Sequence, residues 1–304
     1  MNKNEKAYAS HLRGRGVFSG VATALVTPFT DTGIDFSALT ESIDFQISEG
    51  VRTLVLCGTT GEAPTVTEYE RERMICTCAE HINGRATLIV GTGGPDTEKA
   101  LRYSRFAATH GADALLVVTP YYNKGTHDGV LTYYNRIAEI LPTIVYNVPS
   151  RSGSDISVSQ LKALSQNENI IGVKEASASI EKSARILCEL GDVLPLYSGN
   201  DDLTLPQLAL GASGVISVAS NIIPAQMQRL CESFFAGDIE ESRLLHEKYY
   251  RLMKLLFAET NPTPVKCAMA MMGKCKNILR LPLTVAERET ECALREELER
   301  LCLI

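Results

Sequence analysis

Between residues 143 and 176 the chain reads T-I-V-Y-N-V-P (Thr143–Pro149) and then, after a polar stretch, I-I-G-V-K-E-A (Ile170–Ala176). Two short apolar runs rich in β-branched residues, separated by enough chain for one helix, have the pattern of neighbouring buried parallel strands. The same kind of run recurs in both directions. It begins at Thr53 (TLVLCG), Ala86 (ATLIVG) and Ala114 (ALLVVTP) on one side and at Leu194 (LPLYSG) and Gly214 (GVISVAS) on the other, with Val17 to Thr27 as the first of eight. Eight strands alternating with helices predict an α/β fold, a closed (β/α)8 or TIM barrel.

The helical reading is clearest after the second strand. Thr67 and Glu70 have the spacing of a capping box, and Met74, Ile75, Cys78, Ala79 and Ile82 share one face that should pack on the barrel. A doubly wound open sheet would alternate in the same way, but it usually carries a glycine-rich phosphate turn. Gly91-Thr92-Gly93-Gly94 lacks the dinucleotide spacing, and Gly58 to Gly61 is followed by no Gly-Lys-Ser/Thr. Beyond the eighth strand, helical segments at Ala225–Ala236, Ile239–Phe257, Thr263–Met272 and Val285–Leu301 exceed one barrel helix. The expected organisation is therefore a polar tail (1–15), a barrel (16–236) and a C-terminal helical appendage (237–304) packed on it without a releasing linker.

Composition removes several classes of function. A hydrophobic fraction of 45% and a charged fraction of 22%, with no bilayer-length apolar run, exclude a membrane-embedded chain. A net charge of -6 makes nucleic acid an unsuitable partner. The nine cysteines are odd in number and scattered, which fits free thiols in a reducing cytoplasm. Cys76 and Cys78 lie two apart in a helical pattern, so they read as small packed side chains rather than a metal pair. The stretch Met1 to Arg15 has no secretory apolar core. A flexible or docked tail is expected there, with a transit peptide as the alternative because four basic residues face the single Glu5.

In a parallel barrel the active site forms at the C-terminal ends of the strands. Strand two ends in Gly58-Thr59-Thr60-Gly61-Glu62, strand four in Pro120-Tyr121-Tyr122-Asn123, strand five in Tyr146 to Arg151, and strand six carries Lys174. In an apolar strand desolvation favours a neutral amine, which can attack a ketone to form an iminium; the plainer reading is a lysine paired with a carboxylate at the barrel mouth. Glu175 does not obviously neutralise it, since adjacent strand residues face opposite sides. Thr59 and Thr60 suit a small carboxylate, or mark a plain glycine turn. Tyr146 is a packed aromatic or a proton carrier, and Arg151 a surface cation or a carboxylate clamp.

Taken together these motifs, with Ser198-Gly199-Asn200-Asp201 and Gly214-Val215-Ile216-Ser217, occur in one order, and the chain after about Gly16 resembles the dihydrodipicolinate synthase and N-acetylneuraminate lyase superfamily. The resemblance implies Lys174 as the Schiff-base lysine, Tyr146 as the proton-transferring tyrosine, and Thr60 as a relay hydroxyl between Tyr146 and Tyr122. Thr59 and Thr60 would hold pyruvate's carboxylate, Gly199 and Ile216 would contact pyruvate, and Arg151 would receive L-aspartate 4-semialdehyde. Tyr122 would enter from a neighbouring subunit, which implies a homodimer or a homotetramer built as a dimer of dimers.

The implied reaction is a lyase-class aldol condensation of pyruvate with aspartate semialdehyde, giving 4-hydroxytetrahydrodipicolinate for diaminopimelate and lysine biosynthesis in the cytoplasm. It needs no metal and no organic cofactor, because the lysine supplies the electron sink. The alternatives are an N-acetylneuraminate lyase, a 2-keto-3-deoxy sugar-acid aldolase, or a non-catalytic barrel that binds a 2-oxo acid. Regulated synthases place histidines, an asparagine and a glutamate around bound lysine. Here Glu68, Arg71, Pro95 and Lys99 stand at those positions and Tyr121 alone matches, so inhibition by lysine is expected to be weak or absent.

Overall fold

The computed structural model describes residues 16–304, so the expected polar tail at 1–15 lies outside the described residues. Eight parallel strands close into a barrel: Gly20–Ala24, Thr53–Leu56, Thr87–Gly91, Ala114–Val118, Thr143–Asn147, Ile170–Glu175, Leu196–Ser198 and Gly214–Ser217, with the last pairing back onto the first. The first strand is shorter than Val17 to Thr27 suggested. Residues after it form a two-stranded antiparallel sheet, Phe29–Thr30 with Gly33–Ile34.

Alternation along the strands divides the apolar residues between two cores. Ala22, Val55, Ile89, Leu116, Ile144 and Ile216 fill the barrel, whereas Leu54, Val90, Val117, Val145, Val173 and Val215 face the surrounding helices. This is the layering expected when both faces of a parallel sheet are covered. The helix Glu68–Ile82 shows how the outer layer is attached. Its Thr67–Glu70 capping box is formed in both directions, and Met74, Ile75, Cys78 and Ile82 are buried while Cys76 is half-buried. Arg71 lies on that same buried face, although it is charged.

One irregularity aims the strand that matters most. Ile144 pairs with Gly172 although Thr143 pairs with Ile170, so Ile171 is an extra residue in a β-bulge. Ile170 faces outward and Ile171 inward; after the bulge Val173 faces outward, beside Val145, and Lys174 lies level with the inward Tyr146. Simple alternation from Ile171 would have turned Lys174 away from the barrel. Gly172 has no room for a side chain, since a Cβ there would stand 2.9 Å from Cε2 of Tyr197 and 3.1 Å from the Pro195 carbonyl oxygen.

The C-terminal helices are Pro224–Phe235, Ile239–Leu255, Thr263–Met271 and Arg288–Arg300, the last beginning three residues later than its sequence pattern suggested. They are tied to the barrel mouth by a buried ion pair. Lys266 Nζ donates to Glu62 Oε1 at 2.5 Å and to the Ile278 carbonyl at 2.8 Å, and the other Glu62 oxygen accepts from Arg280 N at 3.0 Å. Glu62 sits at φ 51° directly after Gly61, so this contact pins the loop Gly58–Gly61 from outside the barrel.

Candidate active site

Lys174 and Tyr146 are register partners on adjacent strands, both 6% exposed. The Lys174 ammonium lies 4.4 Å from the centroid of the Tyr146 ring, an attractive cation–π arrangement that keeps amine and phenol side by side. Tyr197 is the register partner on the other side. Its hydroxyl donates to the Phe18 carbonyl at 2.9 Å, which leaves it a wall rather than a reagent. Glu175 points outward as expected: its carboxylate accepts from Asn147 Nδ2 at 3.0 and 3.1 Å and from Ser177 N at 2.7 Å, with Lys182 Nζ at 3.7 Å. A second buried carboxylate beyond the strand ends is Asp201. It is buried, accepts from Val218 N at 3.0 Å and Ala219 N at 2.9 Å, and is pushed up by burial against those bonds, the Ser217 hydroxyl and the Lys174 charge.

A cavity of about 540 Å³ opens at the C-terminal ends of the strands, with Tyr146 in its wall beside Thr59 and Arg151. The loop that carries the two threonines is a closed turn, Gly61 N donating to the Gly58 carbonyl at 3.1 Å and Glu62 N to the Thr59 carbonyl at 3.0 Å. Its hydroxyls have different surroundings. Thr59 is half-buried and lines the cavity, whereas Thr60 is buried and its Oγ1 accepts from Asn261 Nδ2 at 3.0 Å. The backbone oxygen of the same Asn261 accepts from Arg151 Nη2 at 3.1 Å. Arg151 itself sits in a short helix, Pro149–Ser152, with its guanidinium anchored at one end.

Gly199 follows the seventh strand and Ile216 lies in the eighth. Ile216 is fully buried among the barrel's inward residues. Gly199 donates from N to the Glu175 carbonyl at 2.8 Å, and a Cβ on it would meet the Ala176 Cβ at 2.4 Å, so only glycine lets the two strand ends approach. Tyr122 is not brought to the others within one chain. It is 94% exposed with φ 66°, a conformation unusual for a bulky residue, and it projects away from the cavity that its neighbour Tyr121 lines.

Asn261 escaped the sequence reading, while Arg71 and Asp201 were named there without the bonding partners the structure gives them. Arg71 had a signal, since it precedes Met74 by three on the apolar face of its helix. Asn261 had none, because it reaches Thr60 across 201 residues. Asp201 was visible only as part of a motif, without its bonds to Val218 N and Ala219 N.

Comparison with known proteins adds identity to this geometry. A profile of the dihydrodipicolinate synthetase family matches residues 17–301. The 4-hydroxy-tetrahydrodipicolinate synthase of Fervidobacterium nodosum is 45% identical over 277 residues, 90% of this chain and 95% of that protein. A crystal structure of dihydrodipicolinate synthase from Thermotoga maritima shares 42% identity at a TM-score of 0.92, covering 94% of this chain and 99% of that one. The corresponding enzyme of Cyanidioschyzon merolae, crystallised with lysine bound, is 35% identical at a TM-score of 0.91 and covers 95% and 100%.

Proposed function

The chain belongs to the dihydrodipicolinate synthetase family, and from that premise we propose that its barrel condenses pyruvate with L-aspartate 4-semialdehyde through an imine on Lys174. It acts as a lyase that makes 4-hydroxytetrahydrodipicolinate, in the diaminopimelate route to lysine. The observation that carries the assignment is the bulge at Ile171, which brings the buried Lys174 level with the inward Tyr146 and its ammonium 4.4 Å from that ring.

The residues divide the work as follows. The Lys174 amine attacks the ketone carbon of pyruvate and water leaves, giving an iminium whose positive nitrogen draws electrons from the methyl carbon. Tyr146 beside it moves the protons. Loss of a methyl proton gives an enamine, which bonds to the aldehyde carbon of the second substrate; the amino group of that substrate then attacks the iminium carbon, closes the ring and releases Lys174. Thr59 and Thr60 hold pyruvate's carboxylate, with Gly199 and Ile216 against its remaining surface. Thr60, expected as the relay hydroxyl, already has its oxygen bonded to Asn261, while Thr59 lines the cavity beside Tyr146. We therefore give the relay to Thr59, linking Tyr146 to Tyr122 of a second subunit.

The exposed, outward Tyr122 supports that crossing and hence a dimer or a pair of dimers. The same reading places the barrel at 16–236 and the appendage at 237–304, the latter steadying the threonine loop through Glu62 and Lys266. Among the described residues no helix is long and apolar enough to cross a membrane, and the free thiols support a cytoplasmic location.

Borohydride reduction in the presence of pyruvate tests the assignment, because only an imine is trapped as a stable adduct. Peptide mass spectrometry is expected to find one reduced pyruvyl group per chain, on Lys174. Labelling of Lys162, Lys182 or Lys266 instead, or no labelling, overturns it.

A further inference from the structure

The bulge that aims Lys174 has a competitor. Thr143 pairs with Ile170, and without the extra residue the ladder would continue with Tyr146 opposite Val173 and Val148 opposite Glu175. Ile171, Val173 and Glu175 would then face inward and Lys174 outward. Ile171 and Val173 are both apolar, and at the strand end one charged residue merely replaces another, so burial separates the two registers weakly. Ladder hydrogen bonds are available in both.

The side chains one rung beyond the catalytic pair do distinguish them. Asn147 and Glu175 are register partners next to Tyr146 and Lys174, on the opposite, outer face, and they are 0% and 1% exposed. Asn147 Nδ2 donates to both oxygens of Glu175, at 3.1 and 3.0 Å, and to Asp155 Oδ1 at 2.9 Å, while its Oδ1 accepts from Ile156 N at 3.1 Å. Glu175 Oε1 also accepts from Ser177 N at 2.7 Å. Lys182 closes the cluster: its Nζ bonds Asp155, donates to the Ile156 carbonyl at 2.8 Å and lies 3.7 Å from Glu175 Oε2.

A buried carboxylate that loses its donors is strongly disfavoured. In the register without the bulge Glu175 stands opposite Val148, whose side chain donates nothing, so the bonds from Asn147 belong to the bulged register alone. The same cluster reaches the second-substrate side of the mouth, because Asp155 and Ile156 follow the short helix that carries Arg151.

We propose, on the imine reading of Lys174, that Asn147 and Glu175 are positioning residues: their bonded pair on the outer face of the barrel holds the bulged register and so keeps the Lys174 amine against Tyr146. Lys182 and Asp155 brace the pair and tie to it the segment that follows Arg151.

The test exchanges donor and acceptor in the full-length enzyme. Asn147→Asp sets a carboxylate against Glu175. Asn147→Asp with Glu175→Gln restores a bond of reversed polarity, since the Asp155 side chain is 55% exposed and turns away with Lys182. Thr59 and Thr60 hold pyruvate's carboxylate, so a lost register shows in kcat and in the rate of borohydride trapping at saturating pyruvate rather than in KM. Asn147→Asp is expected to lower both rates about a hundredfold with the pyruvate KM within about threefold, and the double variant to recover about tenfold or more. A pair that only stabilised the fold would shift the melting temperature and leave the rates of the folded protein alone. Should Asn147→Asp fail to fold, Asn147→Leu removes the bonds without adding a charge, and the same rates are read from it. Rates within about threefold of the parent in either folded single variant, or a double variant no faster than Asn147→Asp, overturn the assignment of the pair. So does a crystal structure of either single variant with Lys174 still level with Tyr146. If borohydride leaves Lys174 of the parent unlabelled, the imine reading fails by itself, and the orientation of Lys174 in that crystal structure still decides whether the pair holds the register.

Discussion

Replacing Lys266 with methionine tests the contact on which the barrel mouth depends. Lys266 and Glu62 have side chains 0% and 1% exposed, so water replaces nothing that the substitution removes. The loss strands the Glu62 carboxylate with one backbone donor, Arg280 N, and leaves the Ile278 carbonyl without its Lys266 donor. Breaking one side of a buried pair costs about 3–5 kcal/mol. Working against this, methionine fills the same volume against Phe29, and it spares the desolvation that pushes the Lys266 pKa down. A net loss of about 3 kcal/mol follows, or about 5 °C in melting temperature for a chain of 304 residues. Glu62→Gln in the same chain removes the stranded charge and should restore about half of it. Scanning calorimetry of the four proteins at one concentration reads the cycle, since subunit association also contributes to stability. The pyruvate KM should rise in Lys266→Met, because Glu62 holds the loop of Thr59 and Thr60. A single variant melting within about 1 °C of the parent, or a double variant no better than the worse single, would refute the reasoning.

Four other outcomes are expected. Arg151→Ala should raise the KM for aspartate semialdehyde by roughly tenfold to a hundredfold, from loss of a charge-assisted bond, yet leave borohydride trapping of pyruvate intact; equal loss of both half-reactions counts against a role confined to the second substrate. Tyr122→Phe mixed with Lys174→Ala should regain activity after subunit exchange, since one site of the mixed dimer holds both native residues; verified mixed oligomers without activity exclude the crossing. The Arg280 guanidinium holds Glu70 at about 2, below its ordinary 4.5, so the ion pair's contribution is complete above pH 4.5 and is lost as pH falls towards 2. Allowing for solvent at Arg280 it is worth about 2 kcal/mol, and Glu70→Gln should flatten acid unfolding across that window. Lysine should inhibit little at about 1 mM, since its ammonium groups would meet Lys99 and Arg71 while Glu68 is held by Arg102; strong submillimolar inhibition relieved by Tyr121→Phe would show otherwise.

Much of the barrel was legible because its information is local. The runs from Thr53 to Gly214 are buried on both faces, so each strand declares itself by continuous β-branched and apolar residues, whatever lies beside it in space. The Thr67–Glu70 cap is likewise a short-range signal and formed as read. Direction is less local. Whether Lys174 faces inward depends on the bulge at Ile171, and a bulge is a property of two strands, Thr143–Asn147 and Ile170–Glu175, not of either alone. The family motif supplied the role of Lys174 without that geometry.

The features that could not be read are those made by partners far apart in sequence. Asn261 touches Thr60 and Arg151 from a segment whose own pattern announces only a turn before Pro262. The helical face of Arg71 could be counted from Met74, but the fact that its guanidinium has only backbone acceptors requires knowing where Gly91 and Ala63 lie. Buried charge therefore has two meanings in this chain that sequence cannot separate. Lys266 is buried and answered by Glu62, so its role is to hold the mouth of the barrel. Arg71 is buried and bonded through its guanidinium only to backbone carbonyls, so it ties the segment at Ala63 to the strand end at Gly91 without a described carboxylate partner.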